Sequence, residues 1–459
     1  MTQRFVSTKT AYLYQGESGE RRKGVLIFGD KVETQGHPSN GRVKTRVRGV
    51  EGFLNVAQLG EEGSLEAYFI DVGTGDSAFL VTPAGKTILI DGGVNRRALG
   101  FLSWKYGLKD PGQRVTVDLL VLTHADGDHL NGLTPIIGHP QIKVRRIVHS
   151  GIATFAPGAM ETALGDVETV AGHKYLVTRH SALSELPTDK LSVEYRAFYD
   201  AVAAAGCEYA AVDCSTGELD VGDEGVKLEV LGPRLVVPPG RSADCYPYLG
   251  SDSLTINGHS VIFKLTHGEV SMLFAGDING KGAEHLLADD DIRSRLAAHI
   301  FKAPHHGSHD FSAEFLQCVR PQITIVSSGH DPDHGHPRAL FMGAVGHSSR
   351  GDQPLVFSTA IAGAFVEQQD KKAQRKDERK DERKDENKAD EGSPQAGAAP
   401  AEEDPNRVHP HDTKRHGLLF KRTLHGMINV RSDGTNLYAA RRVDASYRWE
   451  AYGPLPAAP

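Results

Sequence analysis

Short apolar runs, separated by turns rich in Gly, Pro, Asn and Asp, recur along most of this chain and predict strands. The mostly apolar run Val117–Leu122 predicts a buried strand. Residues 250–280 alternate like a hairpin, in which Val261–Leu265 pairs with Val270–Phe274. The other strands predicted after residue 62 are Ala67–Asp71, Ser77–Thr82, Lys86–Ile90, Lys143–His149, Val226–Leu231, His299–Ala303 and Ile323–Ser328.

Apolar residues at helical spacing predict helices between several of these strands. Ser192–Ala205 shows this spacing and predicts an amphipathic helix that packs on the core. Further helices are expected within 96–116, within 281–300 and from about Ser312, whose side chain suits an N-cap. Together with 50 glycines, this pattern indicates a loop-rich α/β protein rather than a helical one.

Residues 1–62 form a separate region, because only short strands and polar turns are indicated there. The predicted strands are Ala11–Tyr14, Gly24–Ile27, Lys31–Thr34, Val43–Arg48 and Gly52–Val56. The stretch GDKVETQGHPSNGRVKTRVRGVEGFLNVAQL is similar to bacterial SH3-like domains, with Phe53 in place of the usual tryptophan. The resemblance implies a small all-β SH3-like barrel that binds a protein partner or a cell-wall fragment. A structural cap on the rest of the chain is an equal alternative.

Residues 367–412 are a low-complexity segment with KDER and KDEN repeats and no apolar face. Mixed charge can support an exposed helix in the first half, whereas the Gly/Pro/Ala half cannot form a core. We therefore expect a disordered charged linker inserted into a domain that spans 63–366. Strands in 413–445, including Gly417–Phe420 and TLHGMINVRSDGTNLYAARR, are expected to complete that domain.

Composition indicates the number of domains and the cellular location that we expect, but says little about the chemistry of the protein. The 459 residues suffice for two or three domains, at ~150 residues each. The net charge of −7 gives no electrostatic reason for a nucleic-acid groove, although a local basic patch is compatible with it. Four cysteines without CxxC spacing favour reduced thiols. No apolar run approaches the ~18–20 residues of a membrane span, and the start lacks a signal-peptide core, so we expect a cytoplasmic protein without a membrane partner.

The densest chemistry lies in VDLLVLTHADGDHLNGL, residues 117–133. Four metal-capable side chains, His124, Asp126, Asp128 and His129, follow the predicted strand within six residues. In an extended segment His124 and Asp126 face the same way, and Gly127 permits the turn into a short helix, Leu130–Ile137. Imidazole and carboxylate ligands suit zinc, manganese or iron, so this one segment can serve two adjacent metal ions.

The segment resembles the HxHxDH signature of the metallo-β-lactamase superfamily, with Asp126 in place of the second histidine. The HxDxDH variant looks like the hydrolase domain of the competence DNA-uptake protein ComEC and its soluble relatives. FIDVGTGDSAFLVTPAGKTILIDGG, the strand end AGD at Asp277, KAPHHGS and Gly335–His336–Pro337 match that domain in the same order. The resemblance covers about residues 65–440 and implies an αββα sandwich with the site at one edge between two sheets.

The resemblance also implies a two-metal site. It assigns His124 and Asp126 to one metal, Asp128, His129 and His336 to the other, and Asp277 as a bridge. It gives Asp91 the task of holding the HxDxDH loop from a strand end. His259 is an uncertain third ligand of the first metal, and an ordinary sheet histidine is equally expected there. Asp128, His306 and His305 are the candidates for proton transfer, with the choice between the two histidines open.

Other polar residues near these motifs have ordinary structural explanations. Asp71 and Asp76 each lie within two residues of a glycine, and we expect both to cap turns. We expect His149 to be a half-exposed residue at a strand end. His330, Asp331, Asp333 and His334 crowd the loop before His336 and are expected to be solvent or outer groups.

The expected function is hydrolysis by a water activated between two divalent metal ions, with Zn²⁺ the superfamily default and Mn²⁺ favoured by the extra carboxylate Asp126. A phosphodiester, in a nucleic acid or a small molecule, is the first choice of substrate. A small ester, lactone or thioester is the alternative within enzymes. A metal-binding sensor or assembly component, for example in a bacterial defence system, is the alternative outside them.

Overall fold

The structure is a computed structural model that describes residues 2–47, 50–329, 335–351, 354–360, 426–442 and 449–457. Within these ranges, none of the helices has both the length and the apolar character that a bilayer span needs. The predicted linker 367–412 and the predicted strand Gly417–Phe420 lie outside the described residues.

The N-terminal region contains seven described strands in one antiparallel sheet, ordered β3-β2-β6-β5-β4-β1-β7. Their bounds are β1 (Thr2–Val6), β2 (Thr10–Tyr14), β3 (Arg22–Ile27), β4 (Lys31–Ser39), β5 (Arg42–Val47), β6 (Val50–Asn55) and β7 (Leu59–Gly60). In β5 the side chains of Val43, Thr45 and Val47 are buried, in period-2 alternation with more exposed basic residues. The expected all-β region is confirmed, and its SH3-like identity stays a prediction.

The rest of the chain forms two large sheets and one small one. The strands are β8 (Leu65–Phe69), β9 (Ala78–Val81), β10 (Thr87–Ile90), β11 (Val115–Leu122), β12 (Ile142–His149), β13 (Val167–Val170), β14 (His173–Leu176), β15 (Glu208–Ala211), β16 (Glu218–Leu219), β17 (Val226–Gly232), β18 (Tyr246–Pro247), β19 (Ile262–His267), β20 (Val270–Phe274), β21 (Ile300–Lys302), β22 (Ile323–Val326), β23 (Leu355–Ser358), β24 (Ile428–Ser432), β25 (Asn436–Arg442) and β26 (Trp449–Pro456).

Nine of these strands form one sheet, ordered β15-β12-β11-β10-β9-β8-β24-β25-β26, and seven form the second, ordered β16-β17-β19-β20-β21-β22-β23. The small sheet is β13-β14-β18. Each large sheet has a parallel part, β10-β11-β12-β15 in the first and β20-β21-β22-β23 in the second. The loops that carry the site motifs therefore leave from the carboxyl ends of parallel strands in both sheets.

Helices cover the outer face of each large sheet. They are α1 (Arg97–Tyr106), α2 (Gly127–Leu130), α3 (Thr134–Ile137), α4 (Val193–Ala205), α5 (Asp252–Gly258), α6 (Gly280–Leu287), α7 (Asp290–Arg295), α8 (Ala313–Val319) and α9 (Ala339–Ser348). One apolar core lies between the two sheets and contains Phe69, Phe263 and Phe274. A second core joins α1, α3 and α4 to the nine-stranded sheet, and a third joins α6 to α9 to the seven-stranded sheet. The αββα sandwich is confirmed.

Most predicted elements are present with shifted ends. The amphipathic helix α4 begins after Ser192, whose side chain caps it by accepting from the backbone N–H of Tyr195. The prediction was wrong at Asp252–Gly258, which is helix α5 rather than part of the alternating hairpin. The physical reason is a cap: the Ser251 hydroxyl accepts from the backbone N–H of Leu254 and starts a helix in a segment that alternates by chance.

The C-terminal strands close the first sheet as expected, since β24 pairs with β8 and β25 pairs with β24. The strand β26, beyond residue 445, was not predicted. Arg431 on β24 is buried and pairs with Asp30 of the N-terminal sheet at 2.9 Å. The rings of Phe28 and Tyr438 stack across the same contact at a centroid distance of 3.9 Å. The N-terminal sheet is thus joined to the sandwich by a buried ion pair and an aromatic stack.

Candidate metal centre

Asp91, which follows β10, fixes the loop after β11 by hydrogen bonds. The Asp91 carboxylate accepts from the Thr123 backbone N–H at 2.8 Å and from the Thr123 hydroxyl at 2.6 Å. Its Oδ2 atom also lies 2.8 Å from Nδ1 of the buried His129. A carboxylate that accepts this bond places a proton on Nδ1, so Nε2 is the nitrogen of His129 that would bind a cation.

Asp277 follows β20 and stands opposite that loop. Its backbone N–H donates to Ser260 Oγ at 3.1 Å, which fixes the turn. Gly276 makes this turn possible, because a Cβ there would lie 2.7 Å from the Ser260 Cβ. The Asp277 Oδ2 atom lies 3.4 Å from Nε2 of His129 and 3.0 Å from Nε2 of His306.

His306 reaches the same centre from the tight turn Pro304–Gly307, where His305 and His306 both have positive φ, 47° and 53°. Such backbone conformations are costly for non-glycine residues and persist only when their surroundings fix them. The His306 Nε2 atom lies 3.4 Å from Asp128 Oδ2. Its Nδ1 atom lies 3.1 Å from Asp76 Oδ1.

His124 completes the centre on the side away from His306. Its Nδ1 atom lies 3.1 Å from the Thr123 hydroxyl and 3.4 Å from the Ser260 hydroxyl. Its ring centroid is 4.0 Å from that of His129. Its Nε2 atom lies 3.8 Å from Oδ2 of Asp126, which is partly exposed at the rim. We refer to His124, Asp128, His129, Asp277 and His306 as the His/Asp cluster.

The chemistry of these donors fits divalent metal ions. Four buried atoms of the cluster make no hydrogen bond within the described part of the chain: Nε2 of His124, His129 and His306, and Oδ1 of Asp277. Buried polar atoms are costly to leave unpaired unless they bind a ligand. The sets His124–His129–Asp277 and Asp128–His129–His306 each offer ligand atoms within 4.8 Å of one another. Imidazole nitrogen and carboxylate oxygen are ligands of zinc and manganese.

The charges within the cluster also favour the binding of a cation. Burial alone would raise the pKa of Asp277, but His306 and His129 hold it well below its usual value. Burial alone would lower the pKa of His129 and of His306, yet Asp277 and the neighbouring carboxylates raise both well above the usual value. Burial, with the neighbouring His129, lowers the pKa of His124 to about 3. The converging carboxylates therefore favour positive charge at their centre.

The other residues that sequence analysis singled out lie around the cluster or away from it. His336 and His305 flank His306, with ring centroids 6.2 Å from it in both cases. The assignment of a site role to His259 was wrong, because its Nε2 lies 2.8 Å from the Pro247 carbonyl oxygen. It ends helix α5, and the next residue, Ser260, contacts His124 in its place.

Asp76 was expected to cap a turn, and that expectation was wrong. Its carboxylate is buried and pairs with Lys302 Nζ at 2.5 Å as well as with His306. Asp71 does cap its turn, by accepting from the Gly73 backbone N–H at 3.1 Å. The prediction that His149 is half-exposed was also wrong, because its ring is buried against Tyr209.

Part of this chain matches a known protein family. Residues 72–195 match the model of the metallo-beta-lactamase superfamily. The chain is 23% identical over 301 residues to ComE operon protein 3 of Bacillus subtilis, covering 61% of this chain and 30% of that protein. It is 32% identical over 82 residues to competence protein ComA of Neisseria gonorrhoeae, covering 18% of this chain and 12% of that one. The chain thus spans less than a third of the length of either relative.

Two solved structures also resemble this chain. Igni18, a metallo hydrolase from Ignicoccus hospitalis, matches with 14% identity and a TM-score of 0.32, covering 63% of this chain and 96% of its own. A metal-dependent hydrolase from Parabacteroides distasonis matches with 13% identity and a TM-score of 0.33, covering 64% and 93%.

Proposed function

We propose that this chain, whose residues 72–195 match the metallo-beta-lactamase superfamily and which resembles a competence protein over 301 residues, is a hydrolase of phosphodiesters that uses two divalent cations. The observation that carries the proposal is the set of unpaired, buried ligand atoms that converge in the His/Asp cluster. Three separate segments, after β11, β20 and β21, supply them.

Together with Asp126 at its rim, the cluster divides into two ligand sets that share Asp277. His124 and Asp126 would hold one cation. Asp128, His129 and His306 would hold the other, so that His306 takes the place that the resemblance gave to His336. His336 and His305 then flank the second set rather than belong to it.

When bound, two such cations act as Lewis acids that polarise an ester oxygen and lower the pKa of water. The protein's own groups orient the ligands and exclude bulk water. Asp91 and Ser260 fix the two sides of the cluster, and burial keeps bulk water from its inner face. His305, whose Nδ1 makes no hydrogen bond to a described residue, is placed beside the cluster to accept or return a proton.

The carboxylate content of the donor set supports a phosphodiester substrate. Asp126, Asp128 and Asp277 provide three oxygen donors beside three histidines, and oxygen-rich sites suit manganese and magnesium as well as zinc. Those cations are the usual partners of phosphoryl oxygens, and two of them about 3.5–4 Å apart are typical of phosphodiester cleavage.

The test couples metal analysis to a substrate panel. Purified protein is stripped with chelator, reloaded with Mn²⁺ or Zn²⁺, and assayed on bis-p-nitrophenyl phosphate, single-stranded DNA, p-nitrophenyl acetate and a lactone. We expect two cations per chain and cleavage of the phosphodiesters. His129→Ala should remove both properties, whereas His309→Ala, at an exposed site in a neighbouring loop, should keep them.

Full metal occupancy with cleavage of the carboxylic esters alone would contradict the substrate and favour the ester or lactone alternative. Occupancy without turnover of any substrate would favour a sensing or assembly role. A protein that binds no cation would defeat the proposal altogether.

A further inference from the structure

Two buried aspartates stand behind the two histidines of the cluster that face Asp277. Asp91 lies behind His129, with its Oδ2 atom 2.8 Å from Nδ1. Asp76 lies behind His306, with its Oδ1 atom 3.1 Å from Nδ1. The first pair lies at the edge of the nine-stranded sheet, the second joins that sheet to the seven-stranded one, and both converge on Asp277. Carboxylate–histidine pairs of this kind orient metal ligands in proteins and strengthen their lone pairs.

The bonding of His306 leaves one consistent tautomer. Its Nδ1 atom is close to two groups that only accept, the Asp76 carboxylate and the Ser327 carbonyl oxygen at 3.2 Å. A proton therefore lies on Nδ1, which makes Nε2, on the side of Asp277 and Asp128, the nitrogen that would bind a cation. Flipping the ring would replace Nδ1 by the Cδ2–H group and remove the hydrogen bond to the Asp76 carboxylate.

The two pairs differ in how the aspartate charge is balanced. Asp91 is balanced by the backbone N–H and hydroxyl of Thr123. Asp76 instead meets the ammonium group of Lys302, which is itself buried and also donates to the Ala303 carbonyl at 2.7 Å. A buried ion pair is a costly element unless it is well paired, and this one sits directly behind a cluster histidine.

Backbone packing fixes Asp76 in this position. The preceding Gly75 has a φ of +93°, and a Cβ there would lie 1.7 Å from the carbonyl oxygen of Asp128. The turn that carries Asp76 is therefore in direct contact with the metal loop. Lys302 ends strand β21, three residues before the turn position of His305.

We propose that Asp76 and Lys302 are positioning residues that hold His306 with its Nε2 lone pair directed into the cluster. Lys302 acts on Asp76, and Asp76 acts on His306, so neither touches the substrate. The inference rests on the proposed metal-dependent function, and it assigns His306 to ligation rather than to proton transfer.

The test measures cation affinity, not turnover. Zn²⁺ affinity and stoichiometry are determined by calorimetry on chelator-stripped protein for the unchanged chain, Asp76→Asn, Lys302→Met and Lys302→Arg. We expect Asp76→Asn and Lys302→Met to weaken the affinity by about 10- to 100-fold. Lys302→Arg, which keeps the charge, should recover most of the loss.

The matched control is Lys105→Met, because Lys105 is a half-buried lysine that pairs with a buried carboxylate, Glu66, at 3.1 Å. It should lower the thermal midpoint of the metal-free protein without changing Zn²⁺ affinity. Long-range ¹H–¹⁵N spectra of histidine-labelled, Zn²⁺-loaded protein give a second readout, since His306 should carry its proton on Nδ1 in the unchanged chain.

The outcomes separate the two proposals. If the unchanged chain binds no Zn²⁺, the proposed function and this inference both fail. If the unchanged chain binds Zn²⁺ and both Asp76→Asn and Lys302→Met bind it equally well, or if His306 is protonated on Nε2, only the positioning assignment is overturned. Should Asp76→Asn fail to fold, Lys302→Met and the spectrum of the unchanged chain decide the matter.

Discussion

Two buried groups of charged residues in this molecule have opposite hydrogen-bonding patterns. In the first, which we call the Arg431 network, Arg431 binds Asp30 at 2.9 Å and Tyr68 at 3.1 Å, and Lys105 binds Glu66 at 3.1 Å. Among the described residues, none of these five side chains has a buried polar atom without a partner. In the His/Asp cluster, by contrast, three imidazole nitrogens and one carboxylate oxygen make no hydrogen bond, and Nε2 of His129 and of His306 lie only at ion-pair distance from Asp277.

The difference shows how to separate a structural charge cluster from a binding centre. The Arg431 network joins the N-terminal sheet to the sandwich and satisfies itself. The His/Asp cluster satisfies only its outer atoms, through Asp91, Asp76 and Ser260, and leaves its inner atoms directed at one another. Burial and charge alone would rank the two groups equally, whereas unpaired inner atoms mark the site that takes a ligand.

The largest effect should come from Asp277→Ala in the cluster. We expect loss of both cations and a fall in phosphodiester cleavage of about three orders of magnitude or more, because Lewis-acid catalysis contributes several kcal/mol. The stability gained on adding cation, about 2.7 kcal/mol at a hundred times the dissociation constant, should also vanish. Thermal unfolding with and without Mn²⁺ measures this, and a variant that keeps the metal-dependent gain would contradict the assignment.

Arg431→Met should give the reverse pattern. Removing one partner of a buried ion pair leaves uncompensated charge on Asp30 and costs about 3–5 kcal/mol of unfolding free energy. Cation stoichiometry should stay unchanged, because Arg431 contacts no residue of the His/Asp cluster. Urea unfolding tests the predicted loss of stability, and metal analysis on the same sample tests the unchanged cation stoichiometry. Loss of cation at full folding would mean that the two regions are coupled.

The pH dependence of the Arg431 network gives a third test. Burial alone would raise the pKa of Glu66, but Lys105 and Arg431 hold it below the ordinary value. A lowered pKa in the folded state means that Glu66 stabilises the protein above its unfolded pKa, and that this stability is lost as pH falls through the folded value. The stability difference between the unchanged chain and Glu66→Gln should therefore be largest near pH 7 and shrink below about pH 4.3, the usual glutamate pKa. A difference that is constant from pH 7 to pH 3 would show that Glu66 is not ionised in the fold.

The smallest effect should come from Ser260→Ala. This change removes the hydroxyl that accepts from the Asp277 backbone N–H and contacts His124, and it should cost about 1 kcal/mol and less than a tenfold loss in cation affinity. The matched control is Ser192→Ala, which removes a helix cap of similar worth far from the cluster and should leave the affinity unchanged. Equal cation affinities in Ser260→Ala and Ser192→Ala would show that Ser260 does not support the site.

Short sequence motifs predicted the site residues whose positions depend on local geometry, and missed those that depend on the packing of distant segments. Asp91, His124 and His129 were found from sequence because each follows a buried strand and short motifs place them. Asp76 was missed because its partner His306 is 230 positions away, and a carboxylate beside glycine gives the same local signal whether it caps a turn or supports a histidine. Only the packing of the two sheets separates these cases.

The error at His259 had a different origin. Alternation suggested a strand, whereas Ser251 followed by Asp252 in the first turn is the signal of a capped helix, and that signal was present. A helix in place of a strand changes which neighbouring residue faces the site. Ser260 therefore occupies the position beside His124 that the sequence pattern left open for a histidine.

The most direct test of the central claim is the location of bound cations in crystals of the Mn²⁺- or Zn²⁺-loaded protein, from anomalous difference maps at the metal absorption edge. The account predicts two peaks, both bound by the Asp277 carboxylate, one of them also by Nε2 of His124 and the other by Nε2 of His129 and His306. Peaks that lie elsewhere in a fully loaded crystal, with those nitrogens bound to water or protein instead, would contradict it.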